Sequence, residues 1–116
     1  MTISCLAVTG HSDLPETHLF IGLYRAGVAI EVMCPSNSPN RQLLLDANVP
    51  IFDLSLQSRF DKAGTAKIKQ RLASRKVDIV HAFNNKAVSN SLTATKNYQC
   101  KFIAYRGIEA NVSYYD

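Results

Sequence analysis

The residues that could do chemistry in this sequence lie in three short polar clusters, each directly after a run of apolar residues. The clusters are Gly10, His11, Ser12 and Asp13; Asn84, Asn85 and Lys86; and Arg106, Gly107 and Glu109. A histidine, His81, lies inside the apolar run that precedes Asn84. Together they make a polar rim of hydrogen-bonding and charged groups, which suits a small polar or anionic ligand. We therefore take them as the candidate substrate-binding residues.

The apolar runs are predicted to be the strands of one parallel sheet. They alternate with segments of helical period, which is typical of βαβ units. The predicted strands are 3–9, 29–34, 49–54, 77–83 and 101–105, and the predicted helices are 13–26, 41–47, 61–75 and 84–97. The run at 3–9 is too apolar for a strand with one exposed face, so we expect it to be covered on both faces. The predicted fold class is α/β, a Rossmann-like doubly wound parallel sheet with helices on both faces.

Helix-capping residues support these boundaries. Asp13 and Glu16 have the spacing of a capping box, with Pro15 in the first turn, and Gly27 is placed to end the same helix. Either Asn84 or its neighbour can cap the fourth helix, a role that does not exclude contact with a ligand.

The predicted sheet indicates where the three clusters meet. In an open parallel sheet, ligands bind outside the carboxyl ends of the strands, where helix N–H groups are free. Arg106 is expected there as an exposed cation that could clamp a phosphate or a carboxylate. His81 fits a structural histidine and a ligand contact equally well.

The length of 116 residues and the 47% hydrophobic content fit a single domain with a real core. No apolar run approaches the roughly 20 residues that span a bilayer. The start, Met1-Thr2-Ile3-Ser4, lacks the basic residues of a signal peptide, so a cytoplasmic location is expected. The wide spacing of Cys5, Cys34 and Cys100 favours buried, reduced thiols over disulfides.

Several motifs that would name a chemistry are absent from the sequence. It has no GxGxxG dinucleotide fingerprint, no GxxxxGK[ST] phosphate loop and no GxSxG nucleophile elbow. His11 and His18 are too far apart for the metal-binding pair of one helix face, and no third ligand is obvious. We therefore expect neither a metal site nor a cofactor.

The basic residues are unevenly distributed. The formal net charge is +4, and seven of the 13 basic residues fall between Arg59 and Lys76, where Asp61 is the only acid. Phe60, Gly64, Ile68 and Leu72 give the predicted helix from Asp61 to Arg75 an apolar stripe, with its basic side chains free to reach water. Such a helix is either a solvated face or a contact for an anionic partner.

Four segments, taken in order and spacing, resemble the N-terminal domain of family-4 glycosyltransferases. The segments are LAVTGHSDLPETHLF, GVAIEVMCP, VDIVHAFNNKA and KFIAYRGIEAN. The resemblance covers essentially the whole chain. Members of this family are retaining enzymes of the GT-B fold, in which the active site lies in the cleft between two Rossmann-like domains.

The resemblance implies that residues 1–116 form a single Rossmann-like N-terminal domain that binds mainly the acceptor, as one half of a GT-B architecture. A C-terminal domain, expected beyond this fragment, would bind the nucleotide-sugar donor and supply an acidic ExxxxxxxE segment. The sequence departs from the family twice. Leu14-Pro15-Glu16 replaces the usual glycine pair after the first strand, and Arg106 replaces a histidine that often adjoins Gly107.

The expected function is transfer of a sugar from a nucleotide-sugar donor to a cell-envelope glycan or lipid-linked acceptor. The helix from Asp61 to Arg75 could contact the inner membrane face, and no nucleic-acid partner is expected. The alternative is an independent flavodoxin-like or receiver-like domain. Asp53 supplies the aspartate that a receiver needs after its third strand, but residues 9–12 lack the receiver's acidic pair. A flavodoxin needs a phosphate loop rich in Thr and Ser, and this loop has only Thr9, Ser12 and Thr17.

Overall fold

The computed structural model describes residues 2–105, in which strands and helices alternate. The strands are β1 (Ser4–Thr9), β2 (Ala29–Cys34), β3 (Ile51–Asp53), β4 (Ile79–Phe83) and β5 (Lys101–Tyr105). The helices are α1 (Leu14–Arg25), α2 (Arg41–Asp46), α3 (Lys62–Ser74) and α4 (Asn85–Thr95). Every predicted element is present, and each boundary lies within two residues of its predicted position.

The five strands form one parallel sheet in the order β3-β2-β1-β4-β5. The chain winds outward from β1 through β2 to β3, and then crosses back through α3 to pair β4 with the other edge of β1. This is the strand order of the Rossmann fold up to its fifth strand, with the topological switch point between β1 and β4. The prediction of a doubly wound, Rossmann-like sheet is confirmed.

Two hydrophobic cores lie on the two faces of the sheet. Alternate residues of β1 enter different cores: Cys5 and Ala7 pack in the core that contains α1 and α2, and Leu6 and Val8 pack in the core that contains α3 and α4. This explains the continuous apolar run of β1, since neither of its faces meets water.

Strand β3 is shorter than predicted. It begins at Ile51 rather than at residue 49, because the backbone N–H of Val49 donates to the carbonyl of Leu44 at the end of α2, 3.1 Å away. Pro50 follows and has no N–H to offer to the sheet.

The three cysteines form no disulfide. Cys5 and Cys34 are buried as predicted, but Cys100 is half-buried, so the prediction of three buried thiols is wrong for it. Burial raises the pKa of the Cys5 thiol to about 11, which keeps it protonated and inert.

The side chains of Asp13 and Asn84 cap α1 and α4, as the sequence predicts. The Asp13 side chain accepts a hydrogen bond from the backbone N–H of Glu16 at 2.9 Å. Gly27 follows the last residues of α1 with a φ of 98°, a left-handed conformation that favours glycine. The Asn84 side chain caps α4 by accepting from the N–H of Ala87 at 3.2 Å.

The basic helix α3 differs from its prediction in two respects. Arg71 does not extend into water: it forms a two-pronged ion pair with Glu31 of β2, with Nη2 2.9 Å from Oε2, and Arg75 lies 3.1 Å from the same carboxylate. Phe60 precedes the helix and is 80% exposed, so it does not belong to the buried stripe of Gly64, Ile68 and Leu72. Among residues 2–105, no helix has both the length and the apolar character needed to cross a membrane.

Gly64 and Gly22 provide a matched test of the packing of α3. A Cβ at Gly64 would collide with Cδ2 of Leu56, whereas a Cβ at Gly22 of α1 would meet no atom within 4 Å. We expect Gly64→Ala to lower the free energy of unfolding by about 1 to 3 kcal/mol through overpacking. Gly22→Ala should raise it by about 0.5 to 1 kcal/mol through helix propensity. Urea unfolding of the two variants measures both changes, and equal stabilisation by the two alanines would contradict the packing of α3 against Leu56.

Candidate functional site

The carboxyl ends of β1 and β4 border a cleft at the switch point, which we call the amide cleft. It has a volume of about 470 Å³. Its polar lining consists of Gly10, His11, Asn37, Ser55, Asn84, Asn85 and Lys86. Two of the three clusters selected from the sequence thus contribute residues to one cleft, because the parallel pairing of β1 with β4 brings their carboxyl ends together.

Gly10 and Asn84 make the close contact at the base of this cleft. A Cβ at Gly10 would lie 3.0 Å from Nδ2 of Asn84, so the position has little room for a side chain. Asn84 itself has a φ of 72°, which is uncommon for a residue other than glycine. Its backbone N–H donates to the carbonyl of Tyr105 at 3.1 Å, which ties the start of α4 to the end of β5.

The amide cleft favours oxygen-rich and anionic groups. Asn85 and Lys86 are exposed in the first turn of α4, and His11 is exposed on the opposite loop. The free N–H groups at the start of a helix carry a partial positive charge, to which the Lys86 ammonium adds a full one. Amide groups can donate and accept hydrogen bonds with sugar or phosphate oxygens in the same cleft.

A second cleft, which we call the acidic cleft, lies between α1 and the exposed side of β4 and β5. Its volume is about 550 Å³, and its lining consists of Asp13, Pro15, Glu16, Leu19, His81, Phe83 and Tyr105. Within residues 2–105, no helix covers this side of β5, so Ile103 and Tyr105 remain 44% and 46% exposed. The floor of the cleft is therefore made of strand side chains, and its wall is the first turns of α1.

Glu16 is the acid of the acidic cleft whose pKa is clearly shifted. Its Oε1 accepts a hydrogen bond from the hydroxyl of the fully buried Thr9 at 2.7 Å, instead of turning back to the N–H of Asp13 as a capping box requires. The predicted capping box is therefore only half formed. Burial raises the pKa of the Glu16 carboxyl to about 7, the Thr9 hydrogen bond opposes this, and the nearby Asp13 charge adds to it.

Aromatic rings form the rest of this cleft's floor. The His81 ring lies against the Phe83 ring with centroids 4.1 Å apart, and Tyr105 follows with its centroid 5.7 Å from that of Phe83. Burial lowers the pKa of His81, so its imidazole is mainly neutral at pH 7. His81 thus lines a cavity together with an acid and two aromatic rings, and its role as a ligand contact stays a prediction.

The candidate residues from the sequence separate into three groups. Gly10, His11, Asn84, Asn85 and Lys86 line the amide cleft, and Asp13 and His81 line the acidic cleft. Ser12 is fully buried, and its hydroxyl lies 2.7 Å from that of Thr17, so it shapes the loop without lining either cleft. Arg106, Gly107 and Glu109 lie outside the described residues.

Sequence reasoning missed several lining residues, including Asn37 and Ser55 of the amide cleft and three residues of the acidic cleft. Glu16 was assigned to helix capping and to a departure from the glycine pair of the family, and Phe83 and Tyr105 matched the pattern of ordinary strand residues. The position of Tyr105 as the last residue of a strand, next to the carboxyl edge, was the available signal. Within the described chain, no group of three or more His, Cys, Asp or Glu side chains is placed to hold a metal ion.

The sequence matches no protein-family model and no curated protein. Solved structures, in contrast, share its fold. MurG of Acinetobacter baumannii is 15% identical with a TM-score of 0.69, and the match covers 90% of this chain and 35% of that one. A glycosyltransferase from Rickettsia africae ESF-5 is 16% identical with a TM-score of 0.74, covering 89% of this chain and 29% of that one.

A third similar structure is Alr3699/HepE of Anabaena, determined in complex with UDP. It is 19% identical with a TM-score of 0.62, and the match covers 90% of this chain and 29% of that one. At these identities the similarity establishes the fold. The chain thus spans about a third of the length of the structures that it matches.

The raised pKa of Glu16 predicts a pH-dependent effect of Glu16→Gln. Stability gained from protonated Glu16 is fully present below its unfolded pKa near 4.5 and is lost as the pH rises through about 7. Glutamine keeps the Thr9 hydrogen bond without a charge. As the pH rises from about 4.5 to about 8, the unfolding free energy of the variant minus that of the parent should therefore increase by about 1 to 2 kcal/mol. This range is smaller than the full linkage value because Glu16 is only partly buried and solvent screens its charge.

Urea unfolding across this pH range, with an NMR titration of the Glu16 carboxyl, measures the effect. A titration midpoint near 4.5, with a stability difference that does not change with pH, would contradict the buried environment of Glu16.

Proposed function

We propose that this chain is the acceptor-side domain of a retaining glycosyltransferase that uses a nucleotide-sugar donor. The observation that carries the proposal is the amide cleft at the β1/β4 switch point of a fold shared with a glycosyltransferase, the Rickettsia enzyme. In open α/β sheets, ligands bind at this point. The UDP in the similar Anabaena structure supports a nucleotide-sugar as donor.

The chain would be one half of a GT-B architecture, as the resemblance to family 4 implies. A second Rossmann-like domain would bind most of the donor and supply the acidic ExxxxxxxE segment, which the present sequence lacks. The match covers 29% to 35% of the similar structures, so a full-length protein of their size would have room for such a domain. The acceptor would be a cell-envelope glycan or a lipid-linked saccharide.

This domain would contribute to catalysis by positioning the reactants and by stabilising charge. Sugar transfer requires the acceptor hydroxyl to approach the anomeric carbon of the donor in one orientation, and holding two reactants together lowers the entropic part of the barrier. The amides of Asn84 and Asn85 would bind oxygens at the interface of the two halves. Lys86 would stabilise negative charge on the donor phosphates, which grows as the nucleotide departs.

The alternative of a receiver-like domain has less support. The carboxylate of Asp53, the candidate phosphorylation site, forms an ion pair with Arg41 at 2.7 Å. The end of β1 supplies a buried threonine and Gly10 where a receiver has acids to hold magnesium. Phosphorylation of Asp53 by a small phosphodonor such as acetyl phosphate would favour this alternative.

Replacement of Lys86 tests the proposed site. In the full-length protein, Lys86→Met should lower kcat/KM for sugar transfer by about 10- to 100-fold, the usual effect of losing a hydrogen bond to a charged group. Lys96→Met, at the other end of α4, is the matched control and should leave kcat/KM unchanged. The isolated 116-residue chain should transfer no sugar, because it holds only one of the two reactants.

Sugar transfer by the isolated chain, or equal activity of the two lysine variants, would contradict the assignment. A panel of nucleotide sugars with a lipid-linked acceptor, followed by mass spectrometry of the product, gives the measurement. Retention of the anomeric configuration, read by NMR, tests the retaining mechanism separately.

We also propose that the full-length protein contacts an anionic membrane surface through α3. Two of the arginines of this region are already paired with Glu31, which leaves Arg59, Lys62, Lys67, Lys69 and Lys76 exposed. Phe60 and the lysines at 62 and 69 border a groove of about 400 Å³ between α3 and α4. Near an anionic leaflet, each such cation contributes about 1 kcal/mol.

Vesicle sedimentation checks this contact. At low salt, we expect binding to vesicles that contain anionic lipid, weak or no binding to neutral vesicles, and release at high salt. The double variant Lys62→Gln/Lys69→Gln should bind at least about tenfold more weakly, and Lys96→Gln should bind as the parent does. Equal binding to both kinds of vesicle, or binding to neither, would exclude the contact.

A further inference from the structure

We propose that the acidic cleft is the subsite for a neutral sugar ring of the acceptor, and that it selects against uronic acids and other anionic rings. This inference rests on the proposed function. It adds the chemical class of the acceptor residue that this cleft would take.

The shape of the cleft suits a pyranose ring. Its volume of about 550 Å³ lies in the range of small-molecule sites. The exposed Tyr105 ring and the half-buried His81 ring offer flat surfaces, and Leu19 closes one side. A pyranose has an apolar face of C–H groups that packs on such rings, while its hydroxyls point outward at the edge.

The polar groups of the cleft are placed to receive those hydroxyls. Oε1 of Glu16 is held by Thr9, which fixes the carboxylate, and within residues 2–105 no side chain or backbone group donates to Oε2. Oδ1 of Asp13 accepts from the N–H of Glu16, and Oδ2 likewise has no donor in the described part of the chain. Carboxylate oxygens accept strong hydrogen bonds from hydroxyl groups.

The charge of the cleft determines which rings it accepts. Asp13 and Glu16 lie in its wall, the latter ionised above a pH of about 7, and no lysine or arginine is among the described residues that line it. A carboxylate on the ligand would be repelled at hydrogen-bonding distance. Lys86 and the start of α4 lie in the amide cleft instead, so the two clefts favour opposite ligand charges.

The test compares methyl hexopyranosides with the corresponding methyl hexuronosides, which differ only in a CH₂OH or a carboxylate at C6. Gluco, galacto and manno pairs are titrated into the ¹⁵N-labelled 116-residue chain near pH 8, and amide shifts are followed by NMR. For at least one pair, the neutral glycoside should bind about fivefold or more tightly than its uronoside, with shifts concentrated at Glu16 and His81.

Glu16→Gln should reduce this preference to about twofold or less, since glutamine removes the charge and keeps the shape. Asp46→Asn, which changes an exposed carboxylate on α2, is the matched control and should keep the preference. The inference is overturned if uronosides bind as tightly as neutral glycosides in every pair, if no pair binds, or if the shifts lie only in the amide cleft.

Failure of this inference can be distinguished from failure of the proposed function. Transfer of sugar by the full-length protein to acceptors that end in a uronic acid would refute this inference and leave the glycosyltransferase assignment intact. Absence of transfer with every donor and acceptor, together with neutral glycosides bound in the cleft of this chain, would refute the assignment while the subsite remained.

Discussion

The parallel pairing of β1 with β4 is the constraint on which both clefts depend. The pairing starts with reciprocal hydrogen bonds, in which the Ser4 N–H donates to Oδ2 of Asp78 at 2.9 Å and the Asp78 N–H donates to the Ser4 hydroxyl at 3.2 Å. It ends with Gly10 packed on Asn84. A slip of one residue would turn every side chain of β1 to the wrong face, so this register fixes the two cores and the position of both loops.

The crossover that makes this pairing possible is held by ionic contacts of α3. Arg71 and Arg75 both contact the carboxylate of Glu31. Arg75 also donates hydrogen bonds to the carbonyls of Ala29 and Cys5. The Arg71 guanidinium lies 3.8 Å from the ring centre of Phe52. These arginines join α3 to three strands at once. The arginines of this region therefore stabilise the fold, and only the exposed lysines and Arg59 are available to contact an external partner.

The fold could be predicted from the sequence because the signals for strands and helices were local and consistent. Apolar runs marked the strands, Asp13 and Asn84 marked helix starts, and the carboxyl-edge rule placed His11 and Lys86 in one cleft. The role of a residue could not be predicted where it depended on partners far away in the sequence. The pairing of Arg71 with Glu31, 40 positions away, has no local signature. The same holds for Asn90, whose buried amide accepts from the Asp61 N–H at 2.8 Å and so joins α4 to the start of α3.

The two clefts are separated by the loop after β1, and the hydroxyl of Thr9 contributes to both. It donates to Glu16 in the acidic cleft and accepts from the N–H of His11, 3.1 Å away, in the loop that borders the amide cleft. Thr9 itself is fully buried, whereas its two partners lie nearer the surface. One buried hydroxyl thus links the acidic group that would face a sugar to the loop that would face the donor.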